Sequence, residues 1–153
     1  MLTRSGAAVG DYLYVTGVLG NSLSSGHHYR FQPRLAEGAW FASRPEVTAL
    51  MDLSDGLAKD VHALEPKGGE AGLFGAALPL RRGATPQAAL TDGEDYELLL
   101  AVKPTSNLWR FESGFARAFP RVPLTRIGQI QRTGRRAPGA IALGGVSGYE
   151  HLR

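Results

Sequence analysis

The sequence has no cysteine in its 153 residues. This absence excludes disulfide bonds, thiolate metal sites and cysteine nucleophiles, and it is compatible with a cytoplasmic protein. The sequence also lacks a run of about 18 apolar residues, the length that crosses a membrane, and it has no N-terminal signal pattern. We therefore predict a cytoplasmic protein that does not associate with membranes.

Two signatures of phosphate and nucleic-acid binding are also missing. The glycine- and serine-rich segment 17–26 lacks the G-x-x-x-x-G-K-[ST] pattern of a Walker-type loop, so a flexible connection is the simpler interpretation. The net charge of +3 comes from scattered arginines and two adjacent pairs, 81–82 and 135–136, that are not interleaved with aromatic residues. The scattered ones resemble solvated surface residues: Arg30, Arg34, Arg44, Arg110 and Arg117. No basic stripe results, and we predict no nucleic-acid partner.

The composition is that of an ordinary soluble domain, with 43% hydrophobic and 20% charged residues. The length suits one domain with its own core. Hydrophobic periodicity predicts a layered α/β sandwich with a mixed sheet. Strands are expected near 12–16, 47–51, 71–80, 96–102 and 124–131, and helices near 34–43, 56–64 and 107–119.

The most informative stretch is Met51-Asp52-Leu53-Ser54-Asp55-Gly56-Leu57, where a buried strand is followed by a helix. We expect Asp52 to end the strand, Ser54 or Asp55 to cap the helix, and Gly56 to let a ligand approach the backbone. Two carboxylates beside free N–H groups suit a divalent cation that bridges to phosphate. Simple helix capping is the alternative that spacing leaves open.

A second acidic stretch, Asp92-Gly93-Glu94-Asp95-Tyr96-Glu97, leads into the apolar run Leu98 to Val102. The run is typical of a strand buried on both faces. Acids so close to a buried strand are costly unless they are solvated, paired or bound to a ligand. An exposed hairpin turn is the competing interpretation.

In the glycine-rich tail, Tyr149 is either an anchor onto its own domain or a stacking surface for a ring.

Taken in order, these stretches resemble the C-terminal half of bacterial thiamine-monophosphate kinase. The resemblance rests on four segments and covers nearly the whole chain. They are Thr3-Arg4-Ser5-Gly6-Ala7 with Val9 to Gly17, the segment Met51 to Leu57 with Asp60, Gly93 to Leu99, and Arg126-Ile127-Gly128 with Gly148 to His151. The family transfers the γ-phosphoryl group of ATP to thiamine monophosphate, and it belongs to a superfamily with aminoimidazole ribonucleotide synthetase. The resemblance implies the C-terminal-domain fold of that superfamily.

The resemblance also implies roles for individual residues. Asp52 and Asp55 correspond to magnesium ligands, and Ser54 and Arg4 to contacts with ATP. Glu94 corresponds to a carboxylate that contacts thiamine phosphate, and Tyr149 to an aromatic residue that lines the thiamine pocket. No further catalytic residue is implied, because phosphoryl transfer requires mainly positioning and charge neutralisation. Mg²⁺ is the expected cofactor and ATP the co-substrate.

Two departures from the family pattern limit these expectations. Asp92 stands where the family usually has a second glycine, so the turn that presents Glu94 is expected to differ and to carry an added charge. The N-terminal domain of the family, with its further aspartates and much of the dimer interface, has no counterpart in residues 1–153. We therefore expect a single C-terminal-type domain, a fragment or a separately encoded half, with little activity of its own. The resemblance allows a homodimer.

Two other functions compete with the kinase. A related ATP-dependent synthetase or a maturation factor would share the Asp52–Gly56 segment without needing the turn at Glu94. A non-catalytic binding module would keep nucleotide affinity without chemistry. Fold alone does not decide among them.

Overall fold

The computed structural model describes residues 3–104, 107–141 and 143. Its centre is a five-stranded sheet in the order β2-β4-β1-β5-β3. The strands are β1 (Tyr12–Thr16), β2 (Val47–Asp52), β3 (Gly69–Leu73), β4 (Leu98–Val102) and β5 (Leu124–Arg132). The helices are α1 (His27–Arg30), α2 (Leu35–Ala42), α3 (Leu57–Asp60), α4 (Pro86–Thr91) and α5 (Leu108–Ala118). The α/β class predicted from the sequence is confirmed.

The sheet is antiparallel rather than mixed. All four pairings between these strands are antiparallel, and the parallel contact in the described residues is an isolated bridge between Leu19 and Leu80. No two strands that follow each other in the chain are neighbours in the sheet. The sequence showed strands alternating with helices, and this alternation does not fix the direction of strands that come together from distant parts of the chain.

Helical segments cover both faces of the sheet. Side chains alternate between the two faces along each strand, so each strand contributes to the core on either side. On β4, Leu99 and Ala101 belong to the larger core with α3 and α4. Leu100 and Val102 face the other way, into a second core with Phe41 of α2 and with α5. Phe111 and Phe115, one turn apart on α5, supply its buried face, and Phe115 stacks on Phe41 with ring centroids 4.9 Å apart.

Most elements begin and end close to their predicted positions, and the differences have local causes. The strand expected over 71–80 stops at Leu73, where a 3₁₀ turn over Gly75–Ala77 follows. The helix expected over 56–64 is one α-turn, α3, that tightens into a 3₁₀ turn at Val61–Leu64. None of the helices in the described residues is long and apolar enough to span a bilayer.

Candidate functional site

The two acidic turns lie side by side at the end of β2 and the start of β4. The pairing of β2 with β4 ends at Asp52 and Leu98. Beyond these residues, three backbone hydrogen bonds join the two turns: Leu53 N–H to Glu97 O (2.8 Å), Tyr96 N–H to Leu53 O (2.9 Å) and Glu94 N–H to Ser54 O (2.8 Å). The fold therefore brings Asp52, Ser54 and Asp55 together with Glu94, as the family resemblance implies.

The first turn is shaped by Asp60, not by the residues expected to cap the helix. The N-cap of α3 is Gly56, and no side chain caps the helix. Instead, the N–H groups of Ser54 and Asp55 donate to Asp60 Oδ2 at 2.8 and 2.9 Å. The predicted capping by Ser54 or Asp55 is therefore wrong, because an acid inside α3 holds the turn from behind.

Gly56 packs closely against the end of α4. Its φ is +103°, and a Cβ there would lie 3.0 Å from the carbonyl oxygen of Leu90 and 3.2 Å from the backbone of Thr91. The end of α4 thus presses directly on the first turn. Only a glycine combines this backbone angle with this close contact.

The second turn separates its side chains into two sets. Asp95 and Glu97 are buried, whereas Glu94 and Tyr96 are partly exposed. Gly93, Glu94 and Tyr96 have φ values of +66°, +53° and +51°. Left-handed backbone is uncommon at residues other than glycine, and its occurrence at Glu94 and Tyr96 marks a segment that the surrounding contacts hold in place.

Asp95 fastens the glycine- and serine-rich segment 17–26 to this turn. Its carboxylate accepts hydrogen bonds from Gly20 N–H (3.1 Å), Ser22 Oγ (2.5 Å) and Arg81 Nη1 (3.1 Å). Arg81 also donates to Val18 O at 3.0 Å. The interpretation of segment 17–26 as a flexible connection is therefore wrong, since its backbone is tied down by partners that lie far away in the sequence.

Asp92 contributes to the same attachment. Its Oδ2 accepts a hydrogen bond of 2.8 Å from the N–H of Asn21. The charge that was expected to disturb the turn is thus used to hold the neighbouring segment.

Glu97 forms a second buried pair. Nε and Nη2 of Arg34 donate to its two oxygens at 2.8 Å each, and Thr16 Oγ1 donates at 2.7 Å. The interpretation of Arg34 as a solvated surface residue is wrong, because its guanidinium group neutralises a carboxylate at the start of β4. Sequence reasoning missed both pairs, Arg81–Asp95 and Arg34–Glu97, and spacing gives no signal for them.

The remaining acids form the open part of the site. Asp52 is exposed, and within the described residues neither its side chain nor that of Glu94 makes a hydrogen bond or an ion pair. Asp55 pairs with Lys59 at 2.8 Å. Tyr96 lies near both open acids, and its ring stacks on Phe31 at 4.2 Å. One ring of this aromatic pair, Tyr96, thus lies near two carboxylates that have no cationic partner in the described part of the chain.

The electrostatics agree with this crowding of negative charge. The pKa of Tyr96 is raised by partial burial and by the charges of Glu94 and Asp52. The pKa of Asp60 is raised mainly by burial and further by Asp55 and Asp52, although its two backbone donors oppose the shift. The pKa of Asp95 is raised by burial against the opposing effect of Ser22, Gly20 and Arg81. The charges of Asp52, Asp55 and Glu94 thus contribute to the raised pKa of Asp60 or Tyr96, whereas burial alone raises the pKa of Asp95.

A metal ion is compatible with the site, although the carboxylates are few. Among the described residues no group of three potential ligands is arranged to hold a metal ion. Asp52 and Asp55 remain as candidate oxygen ligands on one turn. Mg²⁺ is commonly held by one or two carboxylates together with water and substrate phosphates, so this set fits a metal that arrives with a nucleotide.

Two other predicted residues lie elsewhere. Arg4 is exposed on the edge of β2, next to Thr3, whose carbonyl oxygen accepts a 3.2 Å hydrogen bond from Leu50 N–H. No hydrogen bond or ion pair in the described part of the chain joins Arg4 to the acidic turns. Tyr149 lies outside the described residues. The assignments to metal, ATP and substrate all remain predictions.

Comparison with solved structures shows which proteins share this fold. The chain superposes on thiamine-monophosphate kinase from Stenotrophomonas maltophilia with a TM-score of 0.72 and 22% identity, over 92% of this chain and 54% of that one. It superposes on the hydrogenase maturation protein HypE of Escherichia coli with a TM-score of 0.62 and 19% identity, over 95% and 53%. A complex of AaThiL with AMPPCP and TMP gives a TM-score of 0.58 and 24% identity, over 91% and 53%. The fold of this chain is thus shared with about half of each of these proteins.

Sequence comparison narrows the relationship. Thiamine-monophosphate kinase of Rhodopirellula baltica is 36% identical over 145 residues, which cover 86% of this chain and 43% of the relative. The Escherichia coli K12 enzyme is 35% identical over 158 residues, which cover 84% and 47%. No protein-family model matches the chain. The chain is a relative of the thiamine-monophosphate kinases and spans about half the length of those it matches, so the resemblance stated from the sequence is confirmed.

Proposed function

We propose that this chain takes part in the ATP- and Mg²⁺-dependent transfer of a phosphoryl group to thiamine monophosphate, giving thiamine diphosphate. The observation that carries the proposal is the joining of the two acidic turns. Three backbone hydrogen bonds hold the Asp52–Gly56 turn against the turn that presents Glu94. The Asp52–Gly56 turn would bind the nucleotide and the turn at Glu94 would bind thiamine monophosphate. Contact between the two turns would therefore bring the two substrates together.

In this proposal Asp52 and Asp55 hold Mg²⁺, and Ser54 contacts ATP. Bound magnesium would neutralise charge on the phosphates. Asp60 would act through the backbone, because its two hydrogen bonds set the shape of the turn that carries these ligands. Arg4 is proposed to meet the nucleotide phosphates from the edge of β2.

Glu94 and an aromatic surface would receive thiamine phosphate. The thiazolium ring is cationic, and a carboxylate beside aromatic rings suits such a cation. Glu94 makes no ion pair within the described residues, and the stacked pair of Tyr96 and Phe31 lies next to it. Tyr149 remains a proposed further contact with the ring.

The proposal requires a second half. Because the chain spans about half of its relatives, we propose that an N-terminal domain supplies the remaining magnesium ligands and that the two halves, in a homodimer or a mixed assembly, form the complete cytoplasmic enzyme. The chain by itself is then expected to bind weakly and to turn over little ATP.

Calorimetry tests the proposal. The chain is titrated with thiamine monophosphate and with Mg²⁺ and AMPPCP, alone and after addition of the N-terminal half of the Escherichia coli relative. We expect Glu94→Gln to weaken thiamine phosphate binding by about tenfold and Asp52→Asn to weaken only the Mg²⁺-dependent nucleotide binding. Glu70→Gln, which removes a charge from β3 at the far edge of the sheet, is the matched control.

The failure of the proposal would be clear. Absence of binding with both halves present, in chains whose circular dichroism is unchanged, would contradict it. Equal losses in Glu94→Gln and Glu70→Gln would show that net charge rather than the site is being measured.

A further inference from the structure

A second pocket lies at the other end of β2 from the acidic turns. Glu46 directly precedes this strand and Asp52 ends it. Six residues of extended chain place the two ends about 20 Å apart. The pocket is therefore separate from the candidate kinase site, and a ligand could bind there independently of the proposed function.

The walls of this pocket come from α2, the segment after it, and α5. The cavity has a volume of about 340 Å³, within the range of small-molecule sites. We call it the tryptophan pocket, and its informative lining residues are Trp40, Arg44, Glu46, Trp109, Arg110 and Arg117.

Helix geometry explains why α5 presents this surface. Phe111 and Phe115 face the core. Arg110, Gly114 and Arg117 follow the i, i+4, i+7 spacing and form another stripe along the helix. Gly114 faces the Trp40 indole, and a Cβ there would be in ordinary contact at 3.6 Å from Trp40 Cζ2. The result is a flat aromatic floor bordered by guanidinium groups.

The charges in the pocket are not balanced. In the described part of the chain, Arg44, Arg110 and Arg117 make no ion pair. Arg44 instead lies over the Trp40 ring, 4.0 Å from its centroid. This contrasts with Arg34 and Arg81, each of which meets a buried carboxylate. Three guanidinium groups and one carboxylate, that of Glu46, line the cavity, so positive charge is in excess. This excess favours an anionic ligand, and the planar geometry of the guanidinium groups suits phosphate.

Glu46 adds an unsatisfied acceptor. Its Oε2 atom is buried and accepts no hydrogen bond from the described residues. A buried acceptor without a donor is costly, so a ligand that brings an N–H group to this atom gains affinity. Trp109, which is 77% exposed, provides a second ring face at the mouth of the pocket.

We propose that the tryptophan pocket binds a planar heteroaromatic ring that carries both an amino group and a phosphate, the chemistry of an aminopurine mononucleotide. Trp109 stacks on the ring beside the Trp40–Arg44 pair, the arginines bind the phosphate, and Glu46 accepts a hydrogen bond from the amino group.

Tryptophan fluorescence tests this directly, because the chain has two tryptophans and both line the pocket. We expect AMP to change the emission saturably, adenosine to bind at least tenfold more weakly, and inorganic phosphate to leave the emission unchanged. The double variant Arg110→Gln, Arg117→Gln is expected to weaken AMP binding by at least tenfold. Arg132→Gln, an exposed arginine at the end of β5, changes charge outside the pocket and should leave binding unchanged.

IMP tests the role of Glu46, because it replaces the amino group of AMP with a carbonyl. The unaltered chain should prefer AMP by about tenfold, and Glu46→Gln should abolish that preference. A linear, non-saturating response, or an equal loss in Arg132→Gln, would overturn the proposal. So would tight binding of a single-stranded oligoadenylate without binding of AMP, which would indicate a nucleic-acid surface instead.

Discussion

Glu94, Asp95, Tyr96 and Glu97 are consecutive, yet alternate members have different environments. Asp95 and Glu97 are 1% and 2% exposed, and each is paired with an arginine. Glu94 and Tyr96 lie on the other side of the turn, with left-handed backbone, beside Asp52. The buried pair therefore positions the turn, and the open pair is available for binding. Glu94 and Glu97 have the same chemistry, and their environments differ because their side chains point to opposite sides of the turn.

The largest effect is expected from breaking the buried pair. Asp95→Ala leaves Arg81 without its carboxylate and removes the acceptor for Gly20 and Ser22. Loss of one partner of a buried ion pair costs about 3–5 kcal/mol, so we expect a loss of that order in the free energy of unfolding, measured by urea denaturation. Glu94→Ala is the matched control. Similar losses of stability in the two variants would contradict the distinction between the buried Asp95 and the open Glu94.

A somewhat smaller effect is expected at Gly17, which packs against the second buried acid. Its φ is +64°, and a Cβ there would lie 2.1 Å from Glu97 Oε1. Gly17→Ala should therefore displace Glu97 from Arg34 and strain the backbone, with a loss of about 1–3 kcal/mol in the same denaturation assay. Gly134→Ala has a similar φ of +80° but open space around the position, so it separates backbone strain from the collision. Equal losses would show that Glu97 is not involved.

The pH dependence of stability tests Asp60, the acid behind the first turn. Its pKa in the folded chain is raised, so the folded state holds the proton more tightly than the unfolded state does. Its stabilising contribution is then present below the ordinary aspartate pKa of about 3.9 and is lost as pH rises through the folded value. The stability of Asp60→Asn relative to the unaltered chain should therefore increase with pH across this window. A constant difference in denaturation midpoint would contradict the shift.

The smallest effect on stability is expected from the open acids. Asp52→Asn and Glu94→Gln remove charges that make no ion pair in the described residues, and they relieve repulsion near Tyr96. We expect the melting temperature to stay within about 2 °C of the unaltered value in scanning calorimetry. A large loss of stability would show that these acids, like Asp95 and Glu97, stabilise the fold. The distinction between buried positioning acids and open binding acids would then be wrong.

The sequence predicted the elements better than their arrangement. The continuous apolar run Leu98 to Val102 and the spacing of Phe111 and Phe115 reflect local geometry, and the corresponding strand and helix are present. Strand direction and the partners of Asp95 and Glu97 depend on contacts with residues far away in the chain, which no local pattern encodes. The mixed sheet and the solvated Arg34 were wrong for that reason.

The candidate site was predictable in part. The family resemblance named Asp52, Ser54, Asp55 and Glu94, and the fold gathers them on two adjoining turns. The position of Asp60 behind the turn and the stacking of Tyr96 on Phe31 were not foreseen. These contacts depend on the directions in which the side chains point, and those directions are known only when the path of the backbone is known.

The three hydrogen bonds between the acidic turns also bear on how the site opens. Leu53 N–H, Tyr96 N–H and Glu94 N–H each donate to the opposite turn, so none of the three amides is held by a neighbour in its own segment. Local fraying of either turn would expose all three to solvent at once. The two acidic turns would then be lost and regained as one cooperative unit, and the three amide hydrogens should exchange with deuterium at a common rate.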